Sequence, residues 1–104
     1  MTNKDKLTGA LLGAIAGVIT GILLAPKSGK ETRTELETKY EGIRDDLSQK
    51  IHNVKKITQE TYDDVVDEVV SNYENQKKIG VDEGRELRKS LKEGYERIKE
   101  KMKE

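Results

Sequence analysis

Two rhythms of apolar residues divide the chain. From Leu7 to Pro26 the run LTGALLGAIAGVITGILLAP is uncharged, so all 20 Lys and Arg and all 20 Asp and Glu residues lie outside it. Inside the run Gly9, Gly13, Gly17 and Gly21 recur at every fourth position. From Leu36 onward the spacing changes to steps of four, three and four, which fall into three columns. The first column is Leu36, Leu47, Thr58, Val69, Gly80, Leu91 and Met102. The second is Tyr40, Ile51, Tyr62, Tyr73, Gly84 and Tyr95, and the third is Ile43, Val54, Val65, Gln76, Leu87 and Ile98. Each column repeats after about eleven residues, or ~3.67 per helical turn, so an apolar stripe runs nearly straight along a helix. These rhythms predict an all-α chain with a short polar segment over 1–6, a transmembrane helix over 7–26, and a charged, amphipathic helical tail over 27–104.

Length supports the span. Residues 7–25 extend about 28 Å as a helix at ~1.5 Å per residue, against a hydrocarbon core of ~30 Å. A signal peptide's apolar region is shorter, about 7–15 residues, and ends in a small-x-small site that Leu23, Leu24 and Ala25 do not form. A buried or surface-lying helix is the remaining alternative. Small residues four apart let helix backbones approach closely in lipid, so the four glycines are a candidate helix–helix interface. The bland reading is that glycine is simply frequent in membrane helices. Lys4 and Lys6 precede the run, whereas Lys27, Lys30, Arg33, Lys39 and Arg44 follow it. The excess of positive residues after the run predicts a single-pass protein of the cell membrane with a cytoplasmic tail.

Pro26 ends the apolar helix, and Ser28 with Glu31 has the spacing of a capping box for the next one. The Gly29-Lys30 pair is not a phosphate loop. Leu24 stands where that motif requires glycine, and Glu31 where it requires Ser or Thr.

The tail's stripe suits another helix or a lipid surface. Balanced charge and the absence of Phe and Trp favour protein contact, either a homo-oligomer or another helical protein. Aliphatic and aromatic residues number only about twenty from Lys27 onward, too few for a compact core. The expected tail is therefore non-globular or coiled-coil-like. Gln76, Gly80 and Gly84 interrupt the stripe, and glycine costs a helix interior about 1 kcal/mol relative to alanine; a hinge is expected over 76–84. Acidic residues Glu60, Asp63, Asp64, Asp67, Glu68 and Glu74 precede it, and Arg85, Arg88, Lys89, Lys92 and Arg97 follow. Either the two blocks pair in a hairpin or between chains, or both are solvated faces supported by local pairs such as Glu35/Lys39, Asp46/Lys50, Glu74/Lys78 and Glu93/Arg97.

Net charge is zero, so no basic excess supports nucleic-acid binding. With no cysteine, thiolate chemistry and disulfides are excluded. His52 is the only histidine, and the acidic run lacks the spacing of a calcium loop. No nucleophile–base pair is recognisable. The reading is a non-enzymatic protein with no catalytic residue, cofactor, metal or small-molecule substrate.

The segment Gly9 to Arg33, and above all LLAPKSGKETR from Leu23 to Arg33, resembles the YtxH-like family of small bacterial membrane proteins. That resemblance implies a membrane location and an association with general stress responses, and supplies no catalytic residues. The tail is also similar in style to the eleven-residue repeats of desiccation-protective proteins. Two functional expectations follow. In one, the chain is a bilayer-anchored scaffold or interaction module; in the other, it is a lipid-surface protectant whose amphipathic tail folds conditionally.

Overall fold

Apolar periodicity, caps and breakers cut the chain into four helices. The computed structural model describes residues 3–24 and 33–102, comprising α1 (Asn3–Leu24), α2 (Arg33–Asn53), α3 (Gln59–Asn75) and α4 (Val81–Met102). Pro26, the Ser28–Glu31 box and the Met102 side chain lie outside the described residues.

Two breaks shape the tail. The first, over 54–58, falls where the apolar columns run on without interruption: Thr58 sits in a column yet serves as a cap. Its backbone is extended (φ −128°, ψ 171°). Thr58 Oγ1 accepts from the Thr61 N–H at 3.1 Å, and Thr61 Oγ1 accepts from the Thr58 N–H at 2.8 Å. This reciprocal pair satisfies two donors that a helix start leaves open. The second break falls within the expected hinge, at 76–80. Lys77 adopts a left-handed conformation (φ 61°). The Lys77 and Lys78 N–H groups donate back to the Glu74 and Tyr73 carbonyls at 3.0 and 2.9 Å, closing the helix as a Schellman motif. Gly84 lies inside α4, beyond the break.

The helices form a ring. α1 packs on α2 and α4, α3 packs on α2 and α4, and the described residues make no backbone approach across either diagonal. Cross-helix pairs Asp46–Tyr73 and Lys50–Glu68 run α2 antiparallel to α3. Glu74–Arg88 and Asp67–Lys92 do the same for α3 and α4. The axis of this four-helix bundle is filled by Leu11, Ile15 and Ile19 of α1 together with Ile43, Leu47, Tyr62, Val66, Val70, Leu87 and Leu91.

This corrects the expectation of a non-globular or coiled-coil-like tail. The radius of gyration is 13.9 Å and the longest extent 44 Å, near the ~13 Å radius typical of a 100-residue globule. The physical reason lies in α1. With its apolar residues assigned wholly to lipid, the tail has too few side chains for a core; α1 supplies the missing quadrant. The stripe that was expected to seek a partner chain finds its partners within the molecule.

Candidate functional site: the apolar helix and its seams

α1 has two unlike sides. Thr8, Leu11, Ile15 and Ile19 are buried, flanked by the half-buried Leu7, Val18, Ile22 and Leu23. Gly9, Gly13, Gly17 and Gly21 fall on the opposite side, since successive helical residues turn by about 100°. All four glycines are exposed, and a Cβ added at any of them would meet nothing within 4 Å. The candidate interface therefore faces outward and takes no part in the bundle. Only 22% of the most apolar window, within Lys6–Leu24, is buried inside the molecule. By length and composition α1 is apolar enough to cross a membrane, a criterion that a signal helix also meets.

The α3–α4 seam is built differently. Arg88 donates to Glu74 Oε1 at 2.5 Å, Glu74 Oε2 at 3.3 Å and Ser71 Oγ at 2.9 Å. Its Nε lies 3.4 Å from Asp67, whose carboxylate also receives Lys92 at 2.9 Å. The hydrogen bond to Glu74 is the main reason the Arg88 guanidinium holds its proton more tightly than usual. Deeper in, the Tyr62 hydroxyl donates to the Leu91 carbonyl at 2.8 Å, and the Tyr62 and Tyr95 ring centroids stand 5.2 Å apart. Burial pushes the Tyr62 hydroxyl pKa far up. The opposed charge blocks thus pair as a hairpin within one chain. Lys50 reaches Glu68 across the α2–α3 seam, whereas its expected local partner is Asp46, and Glu74, expected beside Lys78, pairs with Arg88 across the hairpin.

A third cluster ties α2 to the start of α4. Glu83 receives the Tyr40 hydroxyl at 3.0 Å and the Gly80 N–H at 3.3 Å, with Lys39 Nζ at 3.6 Å. Burial alone would raise the Glu83 pKa, but the Gly80 N–H, the Tyr40 hydroxyl and the Lys39 charge together hold it below its ordinary value. Nearby, Tyr73 donates to Asp46 at 3.1 Å. Burial, then that bond, pushes its hydroxyl up to about 12. Gly42 leaves room for this hydroxyl, because a Cβ there would stand 2.8 Å from it and the Tyr73 ring would have to shift.

The eleven-residue columns are brought together as the inner wall of the bundle. Leu36, Tyr40, Ile43, Leu47, Ile51, Tyr62, Val65, Val69, Leu87, Leu91 and Tyr95 are buried, with Val54, Tyr73 and Ile98 packed at the margin. Val66, Val70 and Ile79 are buried outside the columns. The first two give α3 a second stripe, legible only as adjacent valine pairs. His52 is exposed, and among the described residues no group of three His, Cys, Asp or Glu is placed to hold a metal.

The polar links sort by helix. The side-chain hydrogen bonds and ion pairs between helices named above all join α2, α3 and α4, and none involves residues 7–24. From Leu7 to Leu24, α1 is seated by apolar packing, with Ala14 of α1 facing Gly94 of α4, where a Cβ would lie 3.6 Å from that of Ala14. Beside this contact the α1–α4 seam opens into a cleft of about 1040 Å³, bordered by Ala10, Ala14 and Gly17 on one wall and Ser90, Glu93 and Arg97 on the other.

Residues 7–79 match the model of the YtxH-like protein family, and the chain belongs to that family. The match spans α1 to α3 and ends before α4. No curated protein and no solved structure matches the chain.

Proposed function

We propose that this YtxH-like protein is a non-enzymatic, membrane-anchored helical module, with α1 as the anchor and α2–α4 as a cytoplasmic interaction domain. One observation carries the reading: α1 is uncharged from Leu7 to Leu24 around its whole circumference, whereas the outer faces of α2–α4 bear Asp, Glu, Lys and Arg throughout. A helix meant only for a water-soluble bundle gains from polar residues on its outer side. This one instead places glycines there, each about 1 kcal/mol less favourable than alanine in a helix interior. In a bilayer the same glycines offer a close-contact face to a second copy of the chain.

The outward direction of Gly13 makes a clean test possible. Gly13→Arg meets open space in the bundle, so thermal unfolding in water is expected to keep its cooperativity. In the bilayer centre the arginine costs about 2.5–3.5 kcal/mol on insertion scales. The expected result is loss of carbonate-resistant flotation with vesicles and of membrane retention in cells. Flotation equal to that of the parent chain would remove the anchor assignment.

A further inference from the structure

We infer that α1 is an exchangeable helix: in water it closes the bundle against α2 and α4, and a lipid bilayer draws it out along the Ala14–Gly94 seam while α2–α4 remain folded. The inference rests on the proposed anchor role and adds where the helix resides when no bilayer holds it.

The bonding pattern makes this exchange feasible. Leaving the bundle, the stretch from Leu7 to Leu24 abandons no hydrogen bond or ion pair to another helix among the described residues. Its backbone groups stay satisfied within the helix, as hydrocarbon requires. Leu11, Ile15 and Ile19 trade the apolar side chains around them for lipid tails of the same character. The outer side, open to water in the bundle, becomes buried as well. Residues 7–24 span about 27 Å at ~1.5 Å per residue, which matches the ~30 Å hydrocarbon core. A bilayer therefore competes with α2 and α4 for one helix and wins the area that the bundle leaves exposed.

The remainder has its own fastening. Arg88 with Glu74 and Asp67, Tyr62 with the Leu91 carbonyl, Lys50 with Glu68, and Tyr40 with Glu83 all lie within α2–α4. None needs α1. The α1–α4 seam, by contrast, is already parted by the cleft beside Gly94. Opening is therefore expected at this seam, with the α3–α4 hairpin staying closed.

The absence of cysteine allows a decisive cross-link. In Ala14→Cys/Gly94→Cys the Cβ atoms stand 3.6 Å apart, inside the roughly 3.5–4.5 Å range of disulfides. Oxidation of the full chain without lipid is expected to give the intrachain disulfide in high yield. Prior addition of equimolar phosphatidylcholine and phosphatidylglycerol vesicles is expected to lower the yield at least ~10-fold, equivalent to a population shift of about 1.4 kcal/mol. The oxidised chain is expected to fail to insert, with insertion restored by reductant. Hydrogen exchange of α3 and α4 amides is expected to remain protected on vesicles. Equal insertion of oxidised and reduced chains would overturn the exchange and leave the anchor reading standing, as would deprotection of α3–α4. Failure of the disulfide to form without lipid, in a chain whose circular dichroism matches the parent, would overturn it too. If the reduced variant and the parent both fail to insert, the anchor reading falls and takes the exchange with it.

Discussion

α4 lies between two neighbours that hold it by opposite means. Toward α3 it presents Arg88, Lys92 and the Leu91 carbonyl, each engaged by a named polar partner. Toward α1 it presents Gly94 against Ala14 and a cleft. The first seam specifies one neighbour in one register, because carboxylates left unpaired on parting would lose their guanidinium and ammonium partners. The second seam specifies only an apolar surface of suitable shape, which lipid also provides. On the proposed exchange, α1 belongs to the bundle without being committed to it.

The most direct way to abolish the contrast is to empty the α3–α4 seam. Tyr62→Ala removes a ring only 1% exposed along with its bond to Leu91. A cost of about 3–5 kcal/mol is expected by urea denaturation, as for other large-to-alanine core changes. Next in size is the clamp. Arg88→Met is expected to cost about 1.5–3 kcal/mol, and a double-mutant cycle with Glu74→Gln should show strong coupling between the two. Additivity within experimental error would mean that the pair is incidental.

Glu83 supplies a pH test with a definite sign. Its folded pKa lies below the ordinary 4.5, so the unfolded chain binds a proton first as pH falls. The stabilisation it provides is fully present above 4.5 and fades as pH drops through the lowered folded value. In Tyr40→Phe one of the bonds that lowers this pKa is gone, and the acid limb of the stability curve is expected to flatten. An unchanged limb in urea titrations at successive pH values would contradict the assignment. The smallest effect concerns α1. Gly13→Ala fills open space and raises helix propensity, so it is expected to stabilise the bundle in water by up to about 1 kcal/mol, read from the urea midpoint. Gly42→Ala is expected to do the reverse, because it pushes on the Tyr73 hydroxyl.

Much of the architecture is legible in the sequence, for physical reasons particular to each stretch. The glycine rhythm and the missing charges mark α1, and the eleven-residue columns mark the residues that line the bundle. The break at 54–58 is hidden because Thr58 fills an apolar column position with a methyl-bearing side chain, while its box uses Thr61 in place of the usual Glu. Gly80 and Gly84 signal the turn at 76–80, yet Lys77 carries the left-handed residue. Compactness escapes the sequence because a helix suited to lipid is equally suited to a protein interior. Arg88 is visible there as one charge in a basic block; its three partners become apparent only once the hairpin folds.

Chain order adds a temporal consequence. α1 is made before α4, which seals it into the bundle and follows roughly eighty residues later. At synthesis rates of about 5–20 residues per second, that leaves α1 without its second neighbour for roughly 4–16 s. Helical bundles close in microseconds to milliseconds, so the bundle cannot compete fully for α1 until α4 has been synthesised. During that interval a nearby bilayer has no rival from α4. Under the proposed exchange, the destination of the helix is then set by where the ribosome sits as well as by the relative stability of the two states.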